Sequence, residues 1–351
     1  EVMSGHGNSE EYRPWRAAIE NDDGSLSCPE PTNEYLPSCW KAGEIIAKRC
    51  LAEGTDALEC VKREKETRSN YVNMGAGGFH SVPGVAIEDW LDSGQCKDCF
   101  IPSFNYRPGG SAQYALAISN FDEEEVQRFN FGFIASSDNH RARPGTGYKE
   151  IDRFVTTEAN GATNPDISEL LFPMEEPVAE TLFIAPGDLL NQRMGFDIFE
   201  AERQASFFTT GGLAAVHSSG RDRQSIWDGM RRKETYGTSG DRILLWFDLV
   251  RDDGTIPMGG EITQSKNPTF GVKALGAFEQ KPGCPDYSST QLSQEDIKGI
   301  CKNECYNPSD VRKKISRIEV IKITPQMYAG ENVNNLIQDV WQSFECPMKG
   351  E

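Results

Sequence analysis

Four histidines occur among 351 residues, and each stands where its chemistry could be used. Asp138-Asn139-His140 follows directly on the apolar run Phe129–Ala135. Alternate residues of an extended chain point to the same side. A carboxylate and an imidazole would therefore converge at the carboxyl end of a strand, where α/β barrels build their active sites. Oxygen plus nitrogen ligation suits zinc, manganese or iron. The same residues also suit a strand-end turn capped by the aspartate. A second pair, Glu1 and His6, lies in Glu-Val-Met-Ser-Gly-His-Gly-Asn-Ser; it reads as a ligand pair on a strand and tight loop, or as a frayed terminus. His80 sits in the glycine-rich turn Gly-Gly-Phe-His-Ser, as a ligand or as an exposed loop histidine. His217 closes the run Gly-Gly-Leu-Ala-Ala-Val, where a barrel would offer it to a substrate and where a half-buried histidine is equally at home.

Cations cluster beside these positions. Arg141, Arg143 and Lys149 follow the Asp-x-His pair, and Arg221 and Arg223 follow His217. Metals ringed by Arg and Lys are what a phosphate or sulfate ester needs, whereas each arginine alone suits a surface ion pair. Other mechanisms lack their residues: there is no G-x-S-x-G elbow, no Walker loop and no dinucleotide-binding glycine fingerprint.

The elements that must position these groups are legible in part. Tyr35 to Arg63 carries Trp40, Ile45, Ile46, Leu51 and Leu58 at helical spacing. Residues 85 to 92 predict a short helix, and Phe129–Ala135 a buried strand. Gly211–Val216 predicts another buried strand. Ser219 is a candidate N-cap for a helix with Ile226, Trp227 and Met230 as its apolar stripe, ending by Gly237. With Ile243–Val250 next, this is a β-α-β signal. Thr269–Phe278 and Ile315–Ile323 alternate like half-buried strands.

Composition sets the frame. The chain has 36 Lys and Arg against 54 Asp and Glu, a net charge of −18, so nucleic acid and anionic membrane are poor partners. No apolar run approaches the length of a membrane span. Ten cysteines fall into two even groups, six from Cys28 to Cys99 and four from Cys284 to Cys346. Disulfides within each group, made in an oxidising compartment, are the favoured reading. Zinc held by Cys96-x-x-Cys99 or Cys301-x-x-x-Cys305 is its rival.

The stretch Phe-Gly-Phe-Ile-Ala-Ser-Ser-Asp-Asn-His-Arg-Ala-Arg-Pro-Gly-Thr-Gly-Tyr-Lys-Glu (131–150) resembles the late metal motif of the polymerase-and-histidinol-phosphatase (PHP) superfamily. It is most similar there to the bacterial family called domain of unknown function 3604. The opening ten residues, Gly211–His217, and Arg231–Gly240 resemble that family too, in family order. The resemblance implies a distorted (β/α) barrel with two or three divalent transition metal ions, hydrolysing phosphoesters through a metal-activated water. Glu1 would match the bridging carboxylate, Asp138 and His140 the last ligand pair, His6 a middle-motif imidazole and His80 a further one. Arg141, Arg143 or His217 would stabilise charge or protonate the leaving group. The superfamily's early His-x-His is absent, so the resemblance also implies that the first barrel strands belong to a missing N-terminal segment.

The resulting expectation is an α/β protein: a partial PHP-like barrel over residues 1–240 and a smaller β-rich portion over 241–351. It would be a secreted or periplasmic metal-dependent hydrolase acting on a small or polymeric ester, with no nucleic acid partner. The competing expectation is a non-catalytic structural, surface or filament protein reusing the same barrel.

Overall fold

A computed structural model of the chain describes residues 2–4, 7–85, 87–90, 93–94, 110–137, 149, 164–171, 175–192 and 212–347. Two compact units emerge. One comprises Glu1–Gly5, Ala112–Thr157 and Thr210–Glu351; the other comprises His6–Ser111 and Glu158–Thr209.

The second unit is helical. Pro37 precedes the helix Ser38–Ala52, whose residues Cys39, Ala42, Ile46 and Cys50 recur every three or four positions and are all buried. The chain then turns at Asp56, whose carboxylate accepts from the amides of Leu58 and Glu59 and starts the helix Ala57–Asn73. One helical pattern over 35–63 is therefore two helices, and Leu51 and Leu58 flank the turn in solvent. Gly43 lets the helices approach: a Cβ there would lie 3.0 Å from Arg68, whose guanidinium stacks 3.4 Å from the Trp40 ring centroid. The short helix expected at 85–92 is the 3-10 turn Ile87–Trp90. It buries Trp90 against Tyr71 and Phe79, with ring centroids 6.2 and 4.7 Å away. Arg49 fastens the segment around 178 by donating to the carbonyls of Pro83, Gly84 and Val178.

The first unit is built from small sheets. Leu244–Arg251 pairs antiparallel with Gly254–Ile256 on one side and Thr269–Leu275 on the other. Phe278–Gln280 pairs with Pro308–Arg312, and Arg317–Ile323 with Ile337–Glu345, again antiparallel. Beside the last hairpin Ala117, Val333 and Leu336 form a small core.

These sheets correct the expected fold class. Among the described residues no sheet closes into a barrel. A (β/α) barrel needs parallel strands joined by crossover helices. Here the helix Arg223–Arg231 leads from Leu213–Val216 back to Thr235–Thr238, its antiparallel partner, with Leu213 opposite Thr238 and Val216 opposite Thr235. The β-α-β signal is thus a helix inserted into a hairpin, and the next strand, Leu244–Arg251, belongs to another sheet. The helix begins at Asp222, not Ser219, because the Asp222 carboxylate accepts from the Ser225 amide and hydroxyl. It ends at Arg232, where Lys233 takes a left-handed φ of 60°. Its stripe of Ile226, Trp227 and Met230 is exposed. Phe129–Ala135 is likewise no buried strand: Phe129, Phe131 and Ile134 are exposed, and only Ala135 forms a bridge.

Disulfides join Cys28 to Cys39, Cys50 to Cys60 and Cys284 to Cys305, each within its group. Cys301 and Cys346 are free, and Cys96 and Cys99 lie outside the described residues. Among the described residues, no helix is long and apolar enough to cross a membrane.

Candidate functional site

Three stretches of the first unit meet at Ala135. Met3 forms a parallel bridge to Ala135; the Val2 amide donates to Ile134 and the Ser136 amide to Met3. From the other side the Gly212 amide donates to Ser136. Met3 and Ala135 are buried. The approach requires glycine, since a Cβ on Gly212 would lie 2.6 Å from that of Ala135, and one on Gly237 2.8 Å from it. Sequence therefore leaves this junction at Ser137 and reaches Asp138 and His140 at once.

Asp138, His140, Arg141 and Arg143, with Glu1 and His6, lie outside the described residues. Among the described residues, no group of three or more His, Cys, Asp or Glu side chains could hold a metal. His80 is half-buried in the 3-10 turn Gly75–Ser81 of the helical unit.

His217 has a defined setting. Its amide donates to Glu234, its ring lies 5.7 Å from Tyr236 and 5.8 Å from Trp246, and its Nε2 is 2.8 Å from the Leu245 carbonyl. A carbonyl only accepts, so Nε2 carries the proton and Nδ1 is left for other chemistry. Beside it, the Glu234 carboxylate is held by Arg232 through two bonds of 2.8 and 3.1 Å. The Arg232 hydrogen bond, and to a lesser degree the nearby imidazole, hold the Glu234 carboxyl below its ordinary pKa.

Lys149, one of the cations grouped with the Asp-x-His pair, is already engaged. Its ammonium donates to the Glu304 carboxylate and to the Gly283 carbonyl, and the Gly283 amide donates to the same Glu304 oxygen. This knot stands beside the disulfide Cys284–Cys305. The Lys149 bond, above all, holds the Glu304 carboxyl below its ordinary value. A depressed carboxyl stabilises the fold above its unfolded pKa and loses that contribution as pH falls through the folded value. Lys149→Met should therefore cost about 1 kcal/mol at pH 7. The difference from wild type should be smaller at acid pH than at pH 7, because the contribution is lost as pH falls through the folded value of Glu304. Urea titrations of both proteins at the two pH values check this, and a pH-independent difference would refute the linkage.

A concavity not anticipated from the histidines lies in the first unit. It is a cleft of about 820 Å³ between the stretch around Phe131 and Phe133, the strands carrying Phe247 and Phe270, and the loop from Pro257 to Pro268. The strand alternation and the Gly259-Gly260 pair were its only sequence signals. Gly259, at φ 84°, packs so closely on the Lys233 carbonyl that a Cβ would lie 2.3 Å from it.

Comparison with known proteins bears on this unit. Residues 115–282 match the family model described as Protein of unknown function (DUF3604). The DUF3604 match spans just under half of the chain and supports the family resemblance read from 131–150 and 211–240. Asp138, His140, Arg141, Arg143, His217 and the whole lining of the cleft fall inside the DUF3604 region, whereas Glu1, His6 and His80 fall outside it. No curated protein and no solved structure matches the chain.

Proposed function

We propose that the chain is a metal-dependent hydrolase working outside the cytoplasm and cleaving phosphoesters with a metal-activated water, as the PHP resemblance implies. The observation that carries this reading is the junction at Ala135. A parallel bridge with Met3 and a bond from Gly212 hold the chain two residues before Ser137, after which Asp138 and His140 follow. Glu1, Asp138 and His140 supply the carboxylate oxygens and imidazole nitrogen that zinc, manganese and iron accept. Divalent ions bound by them would lower the pKa of a coordinated water and stabilise charge on the transferring group.

Within the chain's own residues, Arg141 and Arg143 offer planar guanidinium donors for ester oxygens. His217 can exchange a proton only through Nδ1 while its Nε2 donates to Leu245. The disulfides among the described residues accord with an oxidising compartment.

The test is metal analysis of the whole protein with hydrolysis of bis(p-nitrophenyl) phosphate as readout. About two tightly bound transition ions per chain are expected. Chelation should remove the ions and hydrolysis together, and zinc or manganese should restore both. A metal-free protein with no hydrolysis on adding either ion would overturn the proposal and leave a disulfide-stapled extracellular structural protein.

A further inference from the structure

The cleft between Phe131, Phe247 and the 257–268 loop has the features of a ligand site in its own right. Its volume of about 820 Å³ falls in the range of about 300 to 1,000 Å³ that small-molecule sites occupy. Two ring pairs line it: Phe247 and Phe270, 5.2 Å apart and tilted by 33°, and Phe131 and Phe133, 5.6 Å apart and edge to face. Phe131 and Phe270 are exposed, while Leu249 is buried among the lining residues. Wet aromatic faces gathered in a concavity are uncommon on a soluble protein unless something covers them. The Tyr236 hydroxyl donates to the Ile243 carbonyl, so this residue too offers the cleft its ring.

The charges select the class of ligand. Two lysines line the cleft. The Lys233 ammonium is matched by Glu261, 3.2 Å away, and by the amide oxygen of Asn130, which in turn donates to Glu261. These contacts, the Asn130 bond first, keep the Glu261 carboxyl ionised to lower pH than usual. Lys266 makes no ion pair among the described residues. Its backbone carbonyl is held by the Gln264 side chain at 3.0 Å. Other exposed lysines among the described residues also lack an ion pair, but Lys266 is the one of them that lines the cleft. No arginine lines the cleft, and phosphate dianions are usually gripped by bidentate guanidinium or by several donors. One unmatched ammonium beside aromatic walls fits a monoanion instead.

We propose that this cleft binds a planar aromatic carboxylate, its ring among the phenylalanines and its carboxylate on Lys266. The proposal is independent of the metal reading, because it needs neither Asp138 nor a bound ion and is read by binding alone.

Calorimetric titration of the full chain with 2-naphthoate and with the neutral 2-naphthalenemethanol tests it. Naphthoate should bind saturably and about tenfold more tightly than the alcohol. Lys266→Gln, a change at the surface, should bring naphthoate down to the alcohol's affinity while leaving the alcohol unchanged. Phe270→Ala should weaken both probes, with Phe270→Leu intermediate, and thermal melts of each variant establish that it is folded. Absence of saturable binding, equal affinity for the two probes, or naphthoate binding unaffected by Lys266→Gln would each overturn the proposal.

Discussion

Asp138→Ala and His140→Ala are each expected to lower hydrolysis of an activated phosphodiester by about 10³-fold while leaving the melting temperature within a few degrees of wild type. The magnitude follows from what a ligand does on the proposed reading. A coordinated ion contributes several kcal/mol to stabilising transition-state charge. Each 1.36 kcal/mol is about tenfold in rate, so losing about 4 kcal/mol removes three decades. Stability should change little, because Met3, Ala135 and Gly212 anchor the stretch before Ser137 through backbone bonds that neither side chain supplies. Metal content must fall with activity in the same variants. His217→Gln is the control that separates proximity from role: Nε2 of the histidine donates to Leu245, and a glutamine amide retains a donor there. If His217 acts through Nδ1, the glutamine variant keeps its metal and loses turnover. If Asp138→Ala and His140→Ala both leave turnover intact, the two residues form the capped turn that their sequence also allows, and the hydrolase reading fails.

How far the residues announced this architecture depends on the range of the interaction that decides each element. Where the deciding contact is local, sequence sufficed. The buried stripe of Ser38–Ala52 shows as helical spacing, and the alternation in Thr269–Leu275 and Arg317–Ile323 marks real strands. Local competition explains the near misses. Asp56 splits one helical pattern into two helices, and Asp222 outcompetes Ser219 as a cap. Where pairing partners lie far along the chain, local pattern misleads. Strand, helix, strand is the same string whether the helix crosses over or folds back, and only the Leu213–Thr238 register distinguishes them. The apolar run 129–135 promised burial, yet its rings stand at a cleft whose other walls come from 247 to 270. Lys149 looked like a free cation beside the Asp-x-His pair. Its partner Glu304 is 155 positions away, beyond any local pattern.

The cysteines show the same limit and lead to a second large effect. Grouping by position was legible, but the pairing of Cys28 with Cys39 and of Cys50 with Cys60 required the helices to be placed. Both bonds staple the helix Ser38–Ala52, one near each end, and Cys39, Cys50 and Cys60 are fully buried. With loops of 11 and 10 residues, the loop-entropy account assigns each bond about 2.7 kcal/mol. Replacing all four by Ala should then cost about 5 kcal/mol, if the sites act independently. That equals the whole stability of many domains, so the quadruple variant should lose the far-UV helical signal at a much lower urea concentration than wild type, or be unfolded in buffer. The double variant Cys50→Ala/Cys60→Ala should show about half the effect and remain folded, which keeps the comparison measurable. A quadruple variant within about 1 kcal/mol of wild type would mean that the core of Tyr71, Phe79 and Trp90 holds this unit without covalent help. Maturation in an oxidising compartment would then lack a physical basis, because the fold would stand equally well with its thiols reduced.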